Sequence, residues 1–286
     1  MIRRVSVLAL AIPLAASCAV AAPELTSGVT ALPEQAWSAP PIDATFDYQI
    51  GGDYPLPDGV DVVSRDWYAG ESPDGAYGIC YVNAFQTQSD DGGLDRPDAQ
   101  SNWPAHLVLS ELGDDPNWGG EYLVDISTPE KQADAIEYLR PMIETCATKG
   151  FSAVEYDNLD SWIRFDGTPL EGQVPFGEEE AVEFATLLTE VAHSLELASA
   201  QKNTVELPAE VSREQIGFDF AIAESCGRWQ ECQDYRAVYG DHLIAIEYER
   251  QYFDATCAEV GDSVSVVLRN VAVSRPGTPG YQYDAC

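Results

Sequence analysis

Short apolar segments recur along this chain, and each runs directly into polar or acidic residues. They lie at 46–50, 60–64, 78–82, 121–124, 151–154, 197–200, 218–223 and 243–246. Their length and composition suit buried β-strands. Gly51-Gly52 follows the first, Arg65-Asp66-Trp67 the second, Asn83 the third and Asp125 the fourth. The fifth leads into Glu155, Asp157 and Asn158, and the sixth into Lys202 and Asn203. Glu224 follows the seventh, and Glu247 with Tyr248 the eighth.

Helical patterns separate several of these segments. Thr128 suits an N-cap and Pro129 a first helical turn. Ala133, Ile136, Leu139 and Ile143 recur at helical spacing, Gly150 is a stop, and Pro141 predicts a kink. A second helix is expected over 178–196, with Phe184, Leu187, Leu188, Val191 and Leu195 on one side. Shorter helices fit 212–215, 234–239 and 252–259. Between the first three strands the helical signal is weak, so loops are expected there. No internal repeat or low-complexity run is present.

Strands alternating with helices imply an α/β fold with a parallel sheet, and eight of them a closed (β/α)₈ barrel of the TIM type. Function then gathers at the C-terminal ends of the strands, where the polar residues already lie. An open doubly wound sheet would want a glycine-rich phosphate loop after an early strand, and Gly51-Gly52 alone does not supply one.

The acidic residues dominate those strand ends. Glycosidic cleavage needs one carboxyl to protonate the leaving oxygen and a second to attack the anomeric carbon or activate water. Asp157 and Glu224 follow different strands, so a barrel aims both into one mouth. The plainer alternative makes Asp157 a helix cap for a segment starting at Asn158. One acidic residue favours the cap; the same feature at several strand ends favours a site. Glu155 is expected to orient Asp157 or bind substrate, and Asp160 to cap the next segment. Glu155, Asp157 and Asp160 lack the spacing and glycine of a calcium loop. Lys202 would neutralise carboxylates or meet sugar hydroxyls, with Asn203 beside it. Tyr48 and Tyr248 stand nearest to strand ends among the aromatics and are expected to contact substrate, as are Asn83, Asp125 and Glu247. His106, His193 and His242 do not cluster, and no Gly-x-Ser-x-Gly elbow occurs, so a serine triad is poorly supported.

Fifteen basic and 48 acidic residues leave a formal charge of -33 on 286 residues. Such a balance repels nucleic acid and anionic lipid and favours a cationic partner, or simply high solubility. Arg3 and Arg4 precede an apolar run over 5–16 and small residues at Ala19-Val20-Ala21, the pattern of a secretory signal over 1–21. The run is too short for a comfortable membrane span. Cys18 offers a lipid-anchored alternative. Residues 22–43, rich in Pro, Ala and Ser, form an expected extended leader, and 44–286 the catalytic domain. Removing the signal leaves Cys80, Cys146, Cys226, Cys232, Cys257 and Cys286, an even set that suggests three disulfides in an exported protein. Of the 15 pairings, Cys226 with Cys232 is the easiest local loop, and Cys257 with Cys286 would pin the C-terminus.

The runs FDYQIGG, VVSRDW, ICYVNAFQTQ, GFSAVEYDNLDSW, AQKN, GFDFAIAESCG and IEYE occur in that order. Together they resemble the secreted endo-α-1,4-polygalactosaminidases of glycoside hydrolase family 114, over roughly residues 42–286. That family's Glu-Pro-Asp-Asn is matched by Glu155-Tyr156-Asp157-Asn158, with Tyr in place of Pro. Its strand-end Ala-Glu-x-Cys is matched by Ala223-Glu224-Ser225-Cys226. The resemblance implies a (β/α)₈ barrel, Asp157 and Glu224 as catalytic carboxylates, and hydrolysis of α-1,4-linked galactosamine polymers. A monomer that requires no metal or organic cofactor is expected. A polymer with free amines is a polycation, which gives the acidic surface a reason. Two other classes stay open: a non-catalytic module that binds cationic polysaccharide, and a metal-dependent hydrolase that a chelator would silence.

Overall fold

The computed structural model describes residues 36–90 and 96–286. The expected signal and most of the expected leader, with Cys18, lie outside the described residues. Eight parallel strands follow one another around a barrel in chain order: β1 (Phe46–Tyr48), β2 (Val62–Asp66), β3 (Tyr77–Asn83), β4 (Ala153–Asp157), β5 (Ala198–Lys202), β6 (Phe220–Glu224), β7 (Leu243–Glu247) and β8 (Ser265–Arg269). A ninth, β9 (Tyr283–Ala285), adds antiparallel to β8. The expected α/β barrel is therefore the fold.

No backbone ladder joins β1 to β8 among the described residues, and side chains close that seam. Arg269 of β8 bonds Asp47 of β1 at 2.9 Å, both fully buried. The Ala44 N–H donates to Ser265 Oγ at 3.2 Å. Tyr283 donates its hydroxyl to the Phe46 carbonyl at 3.3 Å.

The set of strands differs from expectation in one member. Residues 121–124 are not a barrel strand. They make isolated antiparallel bridges, Gln86 with Leu123 and Val108 with Val124, within the long excursion from β3 to the first helix. Their apolar pattern comes from packing of Leu123 and Val124 in the outer core. The eighth place belongs to Ser265–Arg269, all five residues buried.

Helices cover the outside. α1 (Pro129–Thr148) starts where Thr128 Oγ1 accepts the Lys131 N–H at 3.3 Å, and it continues through Pro141. Its buried stripe runs through Ala135, Leu139, Met142, Ile143 and Cys146, with Ile136 packed beside it as expected; of the expected face only Ala133 is exposed. α2 (Glu178–Ser194) matches expectation closely. α3 (Cys226–Trp229), α4 (Cys232–Tyr239) and α5 (Arg250–Val260) follow, and a π-helical turn spans Glu210–Ile216. Loops join β1 to β2 and β2 to β3. Disulfides join Cys80 to Cys146, Cys226 to Cys232 and Cys257 to Cys286.

Side-chain alternation sorts each strand into two layers. Phe46, Ile79, Ala153, Ala200, Phe220 and Ile246 fill the barrel, while Val154, Tyr156, Leu139 and Phe184 pack between sheet and helices. At the last positions of β4, β5 and β6 the same inward rule places Glu155, Asp157, Lys202 and Glu224.

Candidate active site

Period-two geometry stacks Ala153, Glu155 and Asp157 of β4 on one face, from barrel interior to mouth. Glu155 is fully buried and accepts hydrogen bonds from the Tyr48 hydroxyl on Oε1 and from Ser64 Oγ on Oε2, each at 2.8 Å. One level higher, Asp157 Oδ2 accepts from the Tyr81 hydroxyl at 2.7 Å, and Oδ1 accepts from its neighbour's Asn158 N–H at 2.9 Å. Lys202, at the end of β5 and 1% exposed, reaches all three carboxyls. Its Nζ lies 3.0 Å from Glu155 Oε1, 2.9 Å from Asp157 Oδ1 and 3.4 Å from Glu224 Oε2. One ammonium spanning the last two keeps those oxygens within roughly 6 Å of each other, close to the spacing of a glycosidase carboxyl pair.

Glu224 is fixed at the mouth from two sides. Asn203 donates from Nδ2 to Glu224 Oε2 at 3.1 Å, and its Oδ1 accepts the Glu224 backbone N–H at 2.8 Å. The Tyr248 hydroxyl donates to Glu224 Oε1. The chain turns sharply after each of the three strands. Asn158, Asn203 and Ser225 all have positive φ, at 65°, 52° and 59°. Asparagine tolerates that region better than most residues. The turns leave the carboxyls at the rim of a cavity of about 250 Å³. A second cavity of about 290 Å³ shares Asp160, Asn203 and Glu224 with the first and extends toward exposed Trp229.

Burial alone would discharge Lys202. Asp157, Glu224 and Glu155 outweigh it and hold the ammonium well above its ordinary range. Burial also resists ionisation of Asp157, but Lys202, the Tyr81 hydroxyl and the Asn158 N–H bring its pKa below the usual carboxylate value. For Glu155 burial prevails over Lys202 and the value rises. Two like carboxylates in a dry pocket would repel; the buried cation is what lets them share it.

The other residues expected from sequence divide. Tyr48 is fully buried beneath the cavity and acts on Glu155. Asn83, at the end of β3, accepts from Asn158 Nδ2 at 2.9 Å and stands opposite Asp157 in register, so it props the site. Asp125 is not brought into the cavity: it pairs with Lys131 and accepts the Ser127 N–H at the start of α1, because residues 121–124 are not a barrel strand. Glu247 is also turned away. It is fully buried and accepts the Gly227 N–H at 2.7 Å, holding the turn that follows Glu224. Asp160 pairs with Arg164 at 2.8 Å. Glu121, Trp118 and Arg164 line the cavity and were not expected. For Trp118 and Glu121 the signal was the long connection between β3 and α1, and for Arg164 the connection that follows β4, since long loops in compact domains are often functional. The one grouping of metal-type ligands among the described residues is Cys226, Cys232 and Glu247, and both cysteines are spent in a disulfide. No helix of the described residues is long and apolar enough to cross a membrane.

No curated protein compared with the chain matches it. Among solved structures, it is similar to Ega3 of Aspergillus fumigatus in complex with galactosamine. The identity is 16% and the TM-score 0.68, over 90% of this chain and 99% of that one. It is also similar to the glycoside hydrolase domain of PelA from Pseudomonas aeruginosa. There the identity is 15% and the TM-score 0.53, over 83% of this chain and 99% of that one. These likenesses confirm the barrel. The family model for glycoside-hydrolase family GH114 matches residues 26–286, nearly the whole sequence, and the chain belongs to that family.

Proposed function

We propose that this glycoside hydrolase cleaves internal α-1,4-galactosaminide linkages in a cationic polysaccharide, using Asp157 and Glu224. The observation that carries the reading is the convergence of both carboxyls on the single buried ammonium of Lys202, at the rim of one cavity. Asp157, held ionised by that cation, is the nucleophile or base. Glu224, less buried and attached to Tyr248 and Asn203, is the proton donor. Tyr48 and Glu155 fix Lys202 from below, and no step requires a metal.

The substrate class draws support from the galactosamine bound by the related fungal structure and from the charge of -33. An acidic surface concentrates a polyamine chain, and salt weakens that attraction over about 10 Å at 0.1 M. Three disulfides and the N-terminal signal pattern support export, and the enzyme acts as a monomer outside the cell.

The test is release of reducing ends from partly deacetylated galactosamine polymer. Wild type releases oligosaccharides with or without a chelator, and Asp157→Asn and Glu224→Gln each slow the reaction by at least ~100-fold. Equal rates for wild type and either variant would reject the assignment. A wild type that binds the polymer and releases nothing would make the chain a binding module.

A further inference from the structure

We infer that the turn at 115–121 reads the amino group of the sugar, with Glu121 taking the substrate ammonium and Trp118 the face of the ring that carries it. This rests on the galactosaminidase reading and assigns the residue that makes the enzyme prefer the free amine over its acetamide.

The cavity's carboxyls supply the first argument. Asp66 faces Arg96, Asp160 faces Arg164, and Asp157 and Glu224 both face Lys202. Glu121 lines the same cavity, and no Lys, Arg or His among the described residues forms an ion pair with it. Among the described residues its side chain accepts one hydrogen bond, from Asn83 Nδ2 to Oε2 at 3.1 Å. A cationic substrate entering this cavity meets four carboxyls that already face the chain's own cations, and one, Glu121, that pairs with none among the described residues.

The turn is also built to hold its place. Asp115, 3% exposed, accepts the Asn117 and Trp118 N–H groups at 2.7 and 3.0 Å and the Gln86 amide at 2.9 Å. The Asp115 N–H donates to the Glu121 carbonyl at 2.7 Å, closing the turn. Gly120 has φ +89°, and a Cβ there would lie 2.6 Å from Ser89 Oγ. Trp118 is 45% exposed, so its ring face is open to a ligand. Asn83, which holds Glu121, also bonds Asn158 and pairs in register with Asp157, so the turn is one side chain removed from the reacting centre.

The charge state agrees. Burial, then Asp157 on β4 and Asp115 within the turn, push the Glu121 carboxyl up to about 8, against the opposing pull of Asn83 and Arg164. In the empty site it is mostly protonated at pH 7. An approaching ammonium favours the carboxylate, so binding expels the proton and creates an ion pair. A neutral acetamide gives no such gain.

The experiment uses Glu224→Gln, so that ligands are not cleaved, and titrates it calorimetrically with α-1,4-galactosamine oligosaccharide and its N-acetylated counterpart at pH 7. The amino ligand binds more tightly. Adding Glu121→Gln weakens the amino ligand by about tenfold or more, spares the acetylated one, and lowers the proton release on amino-ligand binding by about one. Adding Trp118→Ala weakens both ligands. Glu121→Asp keeps the preference for the amine, which separates charge from shape should the Gln variant unfold early in a thermal melt. An unchanged preference in Glu121→Gln, or an equal loss for both ligands, overturns the inference. Reducing-end release by wild type tests the hydrolase reading separately.

Discussion

Lys202 Nζ lies 2.9 Å from Asp157 Oδ1, although the two residues are 45 positions apart in sequence. Neighbouring parallel strands end at the same level, which brings the cation of β5 to the carboxylate of β4. The same ammonium touches Glu155 below and Glu224 beyond, so one residue sets the charge of the whole site.

Lys202→Met removes that cation and leaves three carboxyls facing one another. A buried pair broken on one side costs about 3–5 kcal/mol. The low end applies here, because Asp157 and Glu224 retain 17% and 27% exposure. The melting temperature should fall by roughly 6 °C or more. Activity should fall at least ~100-fold, as Asp157 loses the partner that keeps it ionised. Calorimetric melting and reducing-end assays check both, and an unchanged pair of values would remove Lys202 from the site.

Acid should act through Asp157. Its folded pKa lies below the ordinary value, so its contribution is complete above about pH 4 and disappears as pH falls through the folded value. Denaturant midpoints of wild type and Asp157→Asn should therefore converge in acid, with the gap open at pH 6. Glu121 has the opposite sign. Its raised pKa means that wild type loses stability relative to Glu121→Gln as pH rises toward about 8. Parallel curves for wild type and either variant would contradict these shifts.

The carboxyl spacing carries a stereochemical expectation. Oxygens of Asp157 and Glu224 within roughly 6 Å leave little room for a water between carboxyl and sugar, which suits retention of anomeric configuration. Proton spectra of the first product formed should show the α-anomer, with the β-anomer appearing later by mutarotation. The β-anomer first would mean inversion and a wider working separation.

The disulfides should separate stability from activity. Cys80–Cys146 closes 66 positions and ties β3 to α1, so the double Ala variant loses about 4 kcal/mol and roughly 10 °C in melting temperature. Cys226–Cys232 closes only 6 positions beside Glu224, so its double Ala variant loses about 2 kcal/mol. In that variant the larger effect should fall on kcat. Melting curves and kinetics of the two variants distinguish these outcomes.

The sequence by itself determined the alternation of strand and helix, and so the barrel. It also determined which carboxylates end β4 and β6, because the inward period of two is written in the residues themselves. Thr128 and Pro129 likewise marked the start of α1. It did not determine which apolar segment was the eighth strand. Residues 121–124 and Ser265–Arg269 are both short and apolar, and only pairing with β7 distinguishes the second. The fates of Asp125 and Glu121 followed from 121–124 lying outside the barrel, whereas Glu247 was turned away by the alternation of β7, which aims Ile244 and Ile246 inward. Whether a carboxyl caps a helix, braces a turn or lines a cavity depends on neighbours brought close by the closed sheet. Those distances are set by tertiary packing, and local spacing along the chain does not encode them.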